Sequence, residues 1–108
     1  MSTGMKFDTD KPRWSLLPAG AVEEVIKVLE YGARKYQEEN WKNVEHGHIR
    51  YYDAAMRHIN AWWTLERRDP ETNLHHLAHA TCCLMFLMWL DRNVLGEENG
   101  VIEGVKTT

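Results

Sequence analysis

Two cysteines are all this chain carries, and they are neighbours, Cys82 and Cys83. Adjacent side chains on a helix point about 100° apart, so these two do not bond to each other and no disulfide framework exists. They read as two buried thiols in a reducing compartment. Proline is equally scarce, with three in 108 residues, at positions 12, 18 and 70. Residues 19–69 therefore contain no helix-breaking ring. There is no run of Lys or Arg and the net charge is −3, which argues against a nucleic-acid surface that works by neutralising phosphates. No apolar run is long enough for a membrane: residues 77–90 contain His79 and fall short of the roughly 20 apolar residues a span needs. The N-terminal MSTGMKFDTDKPRW has no apolar h-region, so no signal peptide is expected. Gly-rich phosphate loops, internal repeats, alternating strands and an adjacent His-Asp pair are missing too. What remains is a soluble, cytoplasmic, all-α protein with no nucleic-acid or membrane partner.

At this length the chain forms one domain, expected over residues 1–92 with an N-terminal arm at 1–18 and a C-terminal tail at 93–108. Its centre is DPETNLHHLAHATCCLMFLMWLD, residues 69–91. Asp69 suits an N-cap, Pro70 the first helical position and Glu71 the positive helix end. One helix of about six turns is expected over residues 71–91, apolar nearly all round in its second half and so buried on most sides. A first helix is expected from Ala19 to about Gln37, with Val22, Val25, Ile26, Leu29 and Ala33 on one face and Glu23, Lys27, Glu30 and Arg34 opposite. A second spans Ile49 to Arg67 and turns Tyr51, Ala54, Ala55, His58, Ile59 and Trp62 inward, with Asp53 and Arg57 paired at i,i+4. The loop between them tucks Trp41 inside, and the arm lays Trp14, Leu16 and Leu17 on the core. The Gly-rich tail is expected to act as a strap or an exchanged arm. Met85, Phe86, Met88 and Trp89 offer more apolar surface than one chain of this size can cover. A homo-oligomer, dimer or tetramer, with a core shared between copies is expected.

Four groups of residues carry possible chemistry. His75 and His79 are i,i+4, and His76 and His79 are i,i+3, so either pair could share a metal or a phosphate, with Glu71 four residues before His75 as an oxygen donor. Packed or solvent-facing histidines are the plainer reading. His58 lies on the inward face of the second helix, where a hydrogen-bonded core histidine is the alternative. Glu23, Glu24 and Glu30 could hold Mg²⁺ or Mn²⁺ against Asp53 on a facing helix, although the interleaved Lys27 and Arg34 fit a solvated face equally well. Lys35, Tyr36, Asn40 and Trp41 combine charge for phosphate with stacking and hydrogen bonds for a base; such aromatics at a helix end more often just cap the core.

Four stretches together resemble a known family: KFDTDKPRWSLLP (6–18), YGARKYQEENW (31–41), RYYDAAMRHINAWW (50–63) and DPETNLHHLAHA (69–80). The chain resembles the phage dATP/dGTP diphosphohydrolases (MazZ), a branch of the MazG-like all-α nucleotide pyrophosphohydrolases. The RH followed by DPE and HLAHA is the specific part. The resemblance implies a helical oligomer that cleaves purine dNTPs to dNMP and pyrophosphate with Mg²⁺, Mn²⁺ or Co²⁺. In phages that replace adenine with 2-aminoadenine, it implies depletion of dATP and supply of dGMP. Carried onto this sequence, Glu24, Asp53, Glu71 and His76 would hold metal, and Arg57 and Lys35 would stabilise charge on the phosphates. His58 or His79 would act as general base, while Tyr36, Asn40 and Trp41 would bind substrate. One departure stands out. MazG-like enzymes carry EExxE and ExxD, whereas this chain has EEVIK with Lys27 and RYYD with Arg50. The incomplete acidic cage supports the alternative, a non-catalytic helical adaptor or nucleotide-sensing module.

Overall fold

The structure, a computed structural model, describes residues 4–93. Among them are three α-helices and no strand: α1 (Ala19–Lys35), α2 (Gly47–Trp63) and α3 (His76–Asn93). Two short 3-10 turns, Trp14–Leu16 and Asn40–Asn43, precede α1 and α2. No helix among the described residues is long and apolar enough to cross a membrane. The tail beyond α3, expected as a strap or exchanged arm, lies outside the described residues.

α2 and α3 form the main interface, and α1 lies against α3 over a smaller one. Among the described residues the buried hydrophobic side chains are mostly small, Ala55 on α2 and Ala78, Ala80, Cys82 and Cys83 on α3, with Leu90 the one large hydrophobic member. Alanines at a crossing let two helix backbones approach, and Ala55 is one of the residues expected on the inward face of α2. Gly47 opens α2 for a related reason, since a Cβ there would come within 3.1 Å of Leu90 Cδ1. Burial pushes the Cys82 thiol up to about 12 and the Cys83 thiol up to about 11. Both are therefore inert core residues at neutral pH.

Three expectations are corrected. Helix α3 begins at His76, not Glu71. Asp69 does not cap it; its Oδ1 accepts from the backbone N–H of Glu71 at 2.9 Å, an Asx turn that competes with helix. Asn73, with φ at 59°, is in the left-handed region and ends any helical run through 71–75. Helix α2 stops at Trp63 rather than Arg67, because Leu65 turns the chain back with φ at 76°. The arm does not cover the core of its own chain: Trp14 and Leu16 are 78% and 69% exposed. Trp41 does tuck inward, stacked on Phe86 at 4.5 Å and edge-on to Trp89 at 5.1 Å. Tyr51 secures that turn by donating its hydroxyl to Trp41 O at 3.3 Å.

Candidate active site

α1 and α2 both flank α3 without packing closely on each other, and a cavity of about 990 Å³ opens between them. Its floor is where α2 and the start of α3 meet. There His58 of α2 and His79 of α3 stack ring on ring, with centroids 4.6 Å apart and planes 9° from parallel.

The third member is Asp69, delivered by the segment between α2 and α3. An antiparallel bridge pairs Arg68 with His75, and Asp69 N donates to Leu74 O at 2.8 Å while Asn73 N donates to Asp69 O at 2.7 Å. This tight loop fixes Asp69, whose second oxygen lies 3.6 Å from His79 Nε2. Thr72 Oγ1, from the same loop, is 2.7 Å from that nitrogen. One ligand atom from each of His58, Asp69 and His79 falls within 4.8 Å of the other two.

Burial is the main reason the His58 imidazole is pushed down to about 4, with the neighbouring His79 and His76 adding to the effect. His79 is lowered too, mainly by burial, although the nearby Asp69 carboxylate works the other way. Both rings are therefore neutral near pH 7, with lone pairs available. Two neutral imidazoles and one carboxylate form a donor set suited to a divalent transition metal. A spread of 4.8 Å is a little more than two ligands on opposite sides of one ion span, at about 2.1 Å each. Turning one ring out of the parallel stack would aim both in-plane lone pairs and the Asp69 carboxylate at one cation, so the residue types fit a metal.

The other expected site residues divide between the cavity and its surroundings. Lys35, Tyr36, Asn40, Trp41, Asp53, Arg57 and Glu71 all line the cavity with His58 and His79. Glu71 accepts from Lys35 Nζ at 2.8 Å and from the Tyr31 hydroxyl at 3.2 Å. The lysine beside it holds the Glu71 carboxyl below its usual range, and the carboxylate in turn raises Lys35. Asp53 and Arg57 share the cavity wall, but the ion pairs among the described residues do not join them. Trp41 has Phe86 stacked on its ring and Lys42 Nζ 5.5 Å from the ring centroid, so it anchors the wall more than it presents a free stacking face.

Glu24 and His76 stand apart from the cavity lining. Glu24 lies near the loop instead, with Oε2 buried, unbonded and 4.0 Å from Arg68 Nη1. His76 is 4% exposed. Its Nδ1 is 2.8 Å from His58 Nδ1 and its Nε2 is 2.7 Å from Glu66 Oε1, which leaves neither ring nitrogen free for a metal. His75 is also engaged locally, accepting from Leu77 N at 3.0 Å.

Asp69, Thr72 and Glu66 were not picked out as site residues from sequence. Asp-Pro was the available signal: it marks a turn as readily as a helix start, and in a turn Asp69 is free to face His79.

Comparison with known proteins places this geometry in context. A family model described as "dATP/dGTP diphosphohydrolase, N-terminal" matches residues 1–99. A protein of Salmonella phage PMBT28 named dATP/dGTP diphosphohydrolase is 42% identical over 91 residues, covering 84% of this chain and 31% of that protein. The chain thus spans about a third of that relative's length. No solved structure matches it.

Proposed function

The chain belongs to the family described as dATP/dGTP diphosphohydrolase, N-terminal, and from that premise we propose that it hydrolyses purine deoxynucleoside triphosphates. Water would attack the α-phosphorus, the α–β bridging bond would break, and dNMP and pyrophosphate would leave. The observation that carries this reading is the His58–Asp69–His79 cluster at the floor of a cavity whose wall bears Lys35 and Arg57. A cavity of about 990 Å³ is ample for a nucleotide by the usual range of ligand sites.

His58, Asp69 and His79 would hold the divalent cation. A metal there supplies charge neutralisation for the triphosphate and a more acidic water. Lys35 and Arg57 would meet the phosphate oxygens, the first leaving Glu71 to do so. Asp53 and Glu71 extend the acidic wall toward a second cation. Asn40 and Tyr36 would contact the base, with Trp41 setting the position of the turn that carries Asn40. In this assignment Glu24 and His76 support the site from outside.

The MazG-like kinship and the homo-oligomer belong to the same proposal. Leu84, Met85 and Met88 share one exposed face of α3, and Ile49, Tyr52, Met56 and Trp63 form an exposed stripe along α2, as their helical spacing requires. A second copy covering both stripes would complete the core. Removing dATP while supplying dGMP would serve a phage that makes 2-aminoadenine DNA.

The test is a dNTP panel with Mg²⁺, Mn²⁺ and Co²⁺, following pyrophosphate and inorganic phosphate separately. Pyrophosphate from dATP or dGTP is the expected product. Inorganic phosphate or tripolyphosphate would place cleavage at another bond, and no turnover with any metal would overturn the reading.

A further inference from the structure

Glu66, His76 and His58 form a continuous chain from the protein surface to the cavity floor. Glu66 is about half exposed, with 54% of its side chain accessible, whereas the His76 side chain is 6% accessible. The links are short: 2.7 Å from Glu66 Oε1 to His76 Nε2 and 2.8 Å from His76 Nδ1 to His58 Nδ1. Backbone geometry sets this alignment in advance. Leu65 turns with φ at 76°, Glu66 N donates to Ala61 O at 3.0 Å, and His76 N donates to Arg67 O at 2.9 Å. The first bond ties Glu66 to the end of α2, and the second ties the start of α3 beside it.

Hydrogen-bond direction along this chain is dictated from its outer end. A carboxylate can only accept, so His76 carries its proton on Nε2. Where His76 carries a single proton, its Nδ1 is an acceptor and His58 donates to it from Nδ1. We propose that Glu66 and His76 are positioning residues that fix the tautomer of His58, leaving its Nε2 unprotonated and free to serve as a ligand atom. This rests on His58 being a site residue, as the proposed function has it. It also gives His76 a role as the partner that orients a ligand rather than as a ligand, the arrangement common behind metal-binding histidines.

Reversing the polarity at position 66 tests the relay. Glu66→Lys replaces an acceptor with a donor at a half-exposed position, so the fold should survive. Lysine would donate to His76 Nε2, His76 would donate from Nδ1, and the proton of His58 would move to Nε2. Glu66→Met removes both acceptor and donor at similar size. The readout is the 15N spectrum of His58 in the metal-free full chain, which distinguishes the protonated from the unprotonated ring nitrogen without any turnover. The expected result is an unprotonated Nε2 in the unaltered protein, a protonated Nε2 in Glu66→Lys, and a mixture in Glu66→Met. Co²⁺ titration should follow the same order, with affinity about 10–100-fold weaker for Glu66→Lys. A proton on His58 Nε2 in the unaltered protein, or the same tautomer in all three, would overturn the relay. If the tautomers shift as expected but no dNTP is cleaved, the proposed activity fails and the relay stands.

Discussion

His58 is a half-buried imidazole with two other histidines beside it. Burial, with His79 and His76 close by, lowers its imidazole to about 4 from an ordinary value near 6.5. In the unfolded chain the ring takes a proton as pH falls through about 6.5, while the folded protein refuses it until about 4. The unfolded state therefore binds more protons across that window, so stability is complete above it and falls as pH drops through it. His79 is shifted in the same direction. Melting temperature of the metal-free protein should thus decline between pH 6.5 and 4, with a shallower slope in His58→Gln; equal slopes in the two proteins would contradict it. Asp69 makes a second prediction at this scale. Asp69→Asn keeps an oxygen to accept from Glu71 N but loses the negative charge facing His79. Pyrophosphate release should fall about 100-fold or more, with circular dichroism unchanged. Lys35→Ala should raise KM for the nucleotide and leave the melting temperature nearly where it was, because the Lys35–Glu71 pair is exposed and such pairs add little to stability.

At the scale of elements, α1 and α2 were legible because their apolar residues recur at helical spacing with no proline between positions 19 and 69. Their start points fall within two residues of those expected, the ordinary uncertainty of helix ends. The segment between α2 and α3 was not legible, for a physical reason. Asp69-Pro70-Glu71 satisfies the chemistry of a helix start and of an Asx turn equally. The choice is made by the bridge between Arg68 and His75, a pairing between residues seven apart that no local pattern announces, and by left-handed Asn73. Missing that turn hid Asp69 and Thr72 from the site, while His58 could be seen on an inward helix face and His79 by its helical spacing to His75 and His76. Leu65 was hidden likewise, since leucine is a poor marker for φ of 76°. Its side chain is 75% exposed, so substitution there tests backbone conformation with little packing lost. Leu65→Val, β-branched and ill-suited to the left-handed region, should lower stability by about 1 kcal/mol. Leu65→Gly should not, since glycine adopts that conformation freely. Thermal melts of both variants decide it; an equal loss in each would mean that the side chain, not the turn, matters.

The whole molecule shows the tension between a small interior and a large apolar exterior. Among the described residues the buried hydrophobic ones are three alanines, two cysteines and Leu90, while Met88, Trp63 and Trp14 are 60%, 73% and 78% exposed. Surface hydrophobics scattered singly are ordinary, but stripes along two adjacent helices are the mark of an interface. Two-fold assembly would bury the same stripe from both copies, so one substitution acts twice. Met88→Glu places a carboxylate on the most exposed member of the α3 stripe, nine residues along the helix from His79. The expected outcome is a shift from a multiple of the single-chain mass to the single-chain mass in light scattering after size exclusion. The separated chain should also melt at a lower temperature, since the stability of such assemblies depends on protomer concentration. Loss of mass with full pyrophosphate release would mean that one chain holds a complete site. Loss of both would mean that a neighbouring copy completes the cavity wall, and a single-chain mass in the unaltered protein would show that the stripes face something else.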